Sequence, residues 1–250
     1  MAEPRQGYAL ARLAARHGAL ARPAERAALG ASRGADRYLE VLRQTHLLAP
    51  PESVSAHDLD AFELYLAAEW RASCAEVAAW HPPRWRAAYR WCARLADLGV
   101  LESLRLAGPP SGWALNDRQL APIAAAAPDE RPAALAAAGL APLATAFAAG
   151  ASLAAAWRAH WHALWPAPAA AAARRLLELE ALWIDGAVEA AGADRRSRLA
   201  ARLERHYRRC RGSPAAGFCE LARRALDLEA WRGGFASRLY APAALREGAS

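Results

Sequence analysis

Apolar positions recur at intervals of three and four residues through most of the chain, and no stretch keeps the strict alternation of a half-buried strand. The sharpest case is Leu59, Phe62, Leu66, Trp70, Cys74 and Val77, which fall on one face of a helix. Ser55 and Asp58 precede it with the spacing of a capping box. His81-Pro82-Pro83 should end it, because proline disfavours helical backbone in the residue before it. Helices are also expected at 5–20, closing near Pro23, and at 36–47, closing before Pro50-Pro51. Another is expected at 84–98, with Gly99 as its left-handed cap.

Ala107–Gly112 has the composition of a loop. Short alanine-rich helices should follow, then one over 152–165 carrying Trp157, Trp161 and Trp165 four apart, a core stripe. Helices at 169–190, 194–211 and 214–232 complete the pattern. The last places Ser213 at its N-cap, Pro214 in its first turn and Gly233-Gly234 beyond its end. The expected class is all-α, with multi-helix bundles in a single domain over 1–250 that divides into lobes at 1–82, 83–166 and 167–250.

Composition sharpens this picture. Alanine favours helix but has little side chain to bury, so leucines and the ten tryptophans must supply the core. All 32 basic Lys/Arg positions are arginine, and the net charge of +7 favours acidic partners or anionic surfaces without choosing among them. From Pro132 to Trp157 no residue is charged, a length that could span a bilayer. Gly139, Pro142 and Gly150 interrupt it, so two short helices around Pro142 are expected instead. The N-terminus turns charged within five residues, unlike a secretory signal. Cys74, Cys92, Cys210 and Cys219 have no metal-type spacing and are expected to be reduced, mostly buried thiols.

Catalytic signatures do not emerge. There is no phosphate-cradling loop and no nucleophile elbow. His160 and His162 are two apart and so point to different sides of a helix; Glu178 and Glu180 fail in the same way. His57, His81 and His206 stand alone in sequence and are expected to be ordinary surface or capping histidines. No catalytic residue, metal, cofactor or small-molecule substrate is therefore expected.

Charge concentrates in one element. The segment 194–211 holds Arg195, Arg196, Arg198, Arg202, Arg205, Arg208, Arg209 and Arg211 against Asp194 and Glu204. Leu199, Leu203, Tyr207 and Cys210 lie on its opposite face and can anchor it. Such a helix is either a solvated face or a dock for an acidic partner. Nucleic-acid binding is the weaker alternative, because aromatics are not interleaved with these arginines as single-strand binders require.

Three segments resemble one family. Tyr8-Ala9, Ala11-Arg12 and Ala15-Arg16 look like an opening helix with spaced Ala-Arg pairs. Asp36, Tyr38-Leu39, Leu42-Arg43 and Thr45 look like the next, a leucine-rich turn ending in Thr. Phe218-Cys219-Glu220-Leu221, Leu226-Asp227-Leu228-Glu229 and Arg232-Gly233 look like a closing helix. Together they resemble the C/d-type rotor-cap family of V-type (V/A-type) ATPases. Trp231 stands where the family pattern has an aliphatic residue, and the chain is shorter than is usual there.

The resemblance implies a non-catalytic funnel of three-helix units, peripheral on the cytoplasmic face of the inner membrane. Members of that family link the central stalk to the rotor ring for proton or sodium transport. The partners would be stalk subunits and the ring, with no nucleic acid, and Arg195, Arg196, Arg198, Arg202, Arg205, Arg208 and Arg209 would be partner-binding residues. The alternative expectation is an unrelated helical adaptor or scaffold.

Overall fold

The computed structural model describes residues 4–18, 23–45, 47–167, 170–185 and 193–240. They form fourteen α-helices and no strand, so the fold is all-α. In chain order these are α1 (Pro4–Gly18), α2 (Pro23–Ala31), α3 (Ala35–Gln44), α4 (Leu59–Trp80) and α5 (Pro83–Cys92). Then come α6 (Leu95–Arg105), α7 (Gly112–Asn116), α8 (Ala121–Ala124), α9 (Arg131–Ala137), α10 (Ala141–Ala148) and α11 (Leu153–Ala163). Last are α12 (Ala170–Glu180), which runs directly into a π-helical turn at Ala181–Asp185, α13 (Ala193–Cys210) and α14 (Ala215–Leu239). No helix among the described residues is long and apolar enough to cross a membrane.

The apolar stripe of α4 folds as its periodicity dictates: Phe62, Leu66, Trp70, Cys74 and Val77 are buried, and Leu59 packs at the edge. Its cap, however, is Asp58 alone, whose carboxylate accepts from the Ala61 amide at 2.8 Å. Ser55 instead turns its hydroxyl to the His57 amide at 3.3 Å. Against α4 lies α14, which also packs on α1, α3, α12 and α13 and forms the other axis of the molecule.

Four boundaries differ from the sequence expectation. The nine-residue α2 is an addition; among its described side chains only Leu29 is buried, too little periodicity to register. The expected helix at 84–98 is two helices. The amides of Ala93 and Arg94 bond the carbonyls of Arg90 and Trp91 three residues back, a tight turn after which α6 restarts. Gly99 therefore lies inside α6 and caps nothing. Similarly, α14 runs through Gly233-Gly234 to Leu239 instead of stopping before them. Gly234 is there for space: an added Cβ would collide with the Tyr38 ring of α3. Finally, Ser213 makes no capping bond, and its buried hydroxyl has no partner.

The uncharged stretch after Pro132 resolves into short helices. α9 and α10 meet at Gly139 (φ 76°), just before Pro142, and α10 ends at Gly150 (φ 66°). Both glycines occupy the left-handed region that an L side chain reaches only at a cost. α11 opens with Ser152, which accepts from the Ala155 amide at 3.2 Å, and buries Trp157 and Trp161 almost completely.

Tryptophan is the main filler, with nine of the ten buried. Trp91 and Trp157 exchange indole N–H bonds with each other's backbone carbonyls at 3.0 and 3.2 Å. Trp70 donates to the Cys92 carbonyl at 3.0 Å, tying α4 to α5. Charge also enters the interior. Asp97 is fully buried and accepts from Arg71 at 2.7 Å, while the same guanidinium reaches Asp117. Burial pushes the Asp97 carboxyl up, and Arg71 and Arg94 offset part of that.

Candidate functional site

The basic helix α13 presents two faces. Leu199, Leu203, Tyr207 and Cys210 are buried, with α14 packed against the helix. Opposite them Arg198, Arg202, Arg205, Arg208 and Arg209 are exposed. Arg198, Arg202, Arg205 and Arg209 follow at four, three and four residues, one continuous row along the helix. Among the described residues no carboxylate pairs with any of these four. The Arg195 side chain lies outside the described residues.

The remaining two arginines of the expected set are engaged. Arg208 is held by Glu204 at 3.0 Å. Arg196 is half-buried and near enough to Glu229 of α14 to pull its carboxyl down, against the desolvation by the cleft that dominates and raises it. Glu229, Glu63 and Arg232 lie at a cleft of about 410 Å³ whose apolar wall includes Trp70, Trp113 and Trp183. Glu63 and Arg232 form an ion pair there.

Glu204 does little to neutralise the row, because it also turns toward the interior. Its carboxylate lies 3.2 Å from Arg223 and 3.1 Å from His17 of α1. Arg223 donates to His17 Nδ1, which leaves Nε2–H to face Glu204, and the His17 ring stacks on Tyr207 at 4.4 Å. Buried Glu220 completes the cluster, 3.7 Å from His17 and 3.8 Å from both Arg16 and Arg223. α13 is thus seated on α1 and α14 by charge as well as by apolar contact.

On the buried face of the same helix the structure brings together three residues that stand apart in sequence. His206, Cys210 and Cys219 have ligand-type atoms within 4.8 Å of one another, and all three side chains are buried. His206 and Cys210 are one helical turn apart, and the short turn after α13 folds Cys219 of α14 back onto them. His206 Nε2–H donates to the Arg175 carbonyl at 2.9 Å, which leaves Nδ1 for the sulfurs; Glu178 lies 3.8 Å from that nitrogen. Hydrogen bonding with Cys219 and His206 holds the Cys210 thiol well below its usual range, while the bond to Cys210 and burial push Cys219 up. His206 is raised, chiefly by its bond to Cys210.

The expectation that His81 and His206 are surface or capping residues is therefore corrected. His206 belongs to this cluster. His81 is fully buried against Tyr89 at 4.4 Å, neither ring nitrogen has a partner, and burial lowers it to about 4. The other expectations about spacing hold in space. His160 packs on Trp91 while His162 pairs with Glu180 at 2.7 Å, and Glu178 and Glu180 serve different neighbours. All four cysteines are free thiols and buried.

Comparison with protein-family models, with curated proteins and with solved structures gives no match to this chain.

Proposed function

We propose that this chain is a non-catalytic adaptor that docks onto an acidic protein surface through the exposed arginine row of α13. In its specific form the proposal is a central-stalk or rotor-cap subunit of a V/A-type rotary ATPase, joining the stalk to the membrane rotor ring on the cytoplasmic face. The observation that carries it is the row Arg198, Arg202, Arg205 and Arg209, exposed and without carboxylate partners among the described residues. Like charges at these spacings repel one another, so the helix gives up stability to display them. An adaptor needs a stiff element with a complementary surface, and α13 is held by both apolar and ionic contacts.

The resemblance of the α1, α3 and α14 segments to the C/d-type rotor-cap family supports the specific form. The general form, an adaptor for some other acidic partner, rests on the arginine row alone. A pull-down of the tagged chain from gently solubilised membranes separates the two. Recovery of ring and stalk subunits in fixed ratio, lost on Arg202→Glu with Arg205→Glu, supports the specific form. Recovery of a different acidic partner, lost on the same substitutions, supports only the general one. Capture unchanged by charge reversal removes the arginine row as the interface.

A further inference from the structure

The geometry points to a zinc-type metal site formed by His206, Cys210 and Cys219, a soft divalent cation held by two thiolates and one imidazole at the junction of α13 and α14. Three features of the cluster carry this. The donor atoms lie within 4.8 Å of one another, a spread that small side-chain rotations close to the separations of a tetrahedral site, where Zn–S is about 2.3 Å and Zn–N about 2.0–2.1 Å. His206 is already oriented as a metal-binding histidine is: Nε2–H is occupied by the Arg175 carbonyl, which fixes the tautomer and leaves Nδ1 as the donor. The donor set, two sulfurs and a nitrogen, favours zinc over hard cations such as magnesium or calcium.

Binding releases two protons to solvent, one for each sulfur, so that both cysteines coordinate as thiolates and His206 as a neutral imidazole through Nδ1. The fourth position falls to water or to Glu178, a half-exposed carboxylate 3.8 Å from His206 Nδ1. Glu178 also places the cluster one side chain away from solvent. A metal here would clamp α13 to the start of α14 across the turn at 211–214, directly beneath the arginine row. The site is independent of what that row binds.

The test uses the tag-free full chain, reduced and stripped with a chelator, then titrated with cobalt(II) as a spectroscopic stand-in for zinc. One equivalent should produce a thiolate-to-cobalt charge-transfer band with the intense visible bands of a four-coordinate site, and one equivalent of zinc should bleach both. Cys210→Ser and Cys219→Ser should each lose the charge-transfer band, while Cys74→Ser keeps it. Should the first two variants fail to fold, alkylation of the wild type with peptide mapping decides: zinc should protect Cys210 and Cys219 and leave Cys74 and Cys92 labelling unchanged. Absence of the thiolate band in the reduced wild type overturns the inference. So does a band that survives both serine substitutions, or protection by zinc that extends equally to all four cysteines. Rapid formation of a Cys210–Cys219 disulfide with no metal uptake by the reduced protein also overturns it, marking the pair as a redox couple.

Discussion

Trp91 and Trp157 are each the hydrogen-bond donor to the other's main chain, so two indoles from α5 and α11 form a closed, reciprocal pair inside the core. Each carbonyl also accepts a main-chain bond, so removing either ring deletes one buried indole bond without orphaning its acceptor, a net loss of about 0.5–1.5 kcal/mol before packing is counted. Trp91→Phe and Trp157→Phe should each lower stability by at least that amount. The double variant should cost less than their sum, because the two bonds join the same pair of residues and the first substitution already loosens the geometry that holds the second. Urea denaturation of the four proteins in the cycle measures the coupling, and strict additivity would show that the two bonds are independent.

Asp97 depends on Arg71. With the carboxylate fully buried, Arg71→Met leaves it only the longer contact to Arg94 at 3.3 Å and also takes the ion pair from Asp117, which keeps the Gln119 and Leu120 amides. Loss of one partner of a buried ion pair costs about 3–5 kcal/mol, so this variant should rank among the most destabilising substitutions in the chain. Asp97→Asn, which keeps the shape and the Arg71–Asp117 contact, should cost less. The opposite order in thermal melts would contradict the assignment of Arg71 as the shared partner.

Stability should fall on mild acidification, with His81 as the cause. Its folded value near 4 lies below the ordinary 6.5, so between those limits the unfolded chain binds the extra proton. The contribution is intact above pH 6.5 and is lost as pH drops toward 4, with a slope of about 1.4 kcal/mol per pH unit in mid-window. His81→Leu should flatten that part of the curve. A variant whose urea midpoint still falls as steeply between pH 6.5 and 5 would place the proton elsewhere.

Two glycines of α14 should respond oppositely to alanine. At Gly217 a Cβ would stand 2.6 Å from both His81 Nε2 and the Tyr89 hydroxyl, whereas at Gly233 it would meet nothing within 4 Å. Gly233→Ala should therefore stabilise the protein by up to about 1 kcal/mol through helix propensity alone. Gly217→Ala should destabilise it despite the same gain in propensity. Equal shifts in melting temperature would mean that α14 does not approach α4 and α5 as closely as described.

Charge reversal on the arginine row should leave the fold intact. Arg202→Glu puts a carboxylate between Arg198 and Arg205 and turns two repulsions into attractions, each worth about 0.2–0.5 kcal/mol. Circular dichroism should show the same helicity with an unchanged or slightly higher melting temperature. A clear loss of stability would mean that Arg202 holds the fold together rather than facing outward.

The sequence was most legible where a helix has two unlike faces. The stripe of α4 and the division of α13 into apolar and basic sides follow from spacing alone, and the structure places them so. Legibility failed where a neighbour decides. Gly233 and Gly234 look like a stop, but α14 continues because Tyr38 needs the room that Gly234 leaves. Gly99 looks like a cap, yet the break comes earlier, at Ala93-Arg94, through two short-range backbone bonds. The cysteine–histidine cluster was missed altogether: His206 read as isolated although Cys210 follows it by one helical turn. Its third member depends on Cys219 returning across a turn, which no periodicity records.

Arg238, near the end of α14, reaches back to the Leu29, Gly30 and Ser32 carbonyls and so fastens the end of α2 across more than 200 residues of chain. The same helix covers α1, α3 and α4. During synthesis those early helices can pack on one another and on α5 and α7, but the face that α14 covers stays bare until α14 clears the ribosome. Because contacts of such long range form late, the nascent chain passes through an extended period of exposure to chaperones and proteases. A premature stop anywhere before residue 215 would therefore remove the cover of the first helices and leave them targets for degradation.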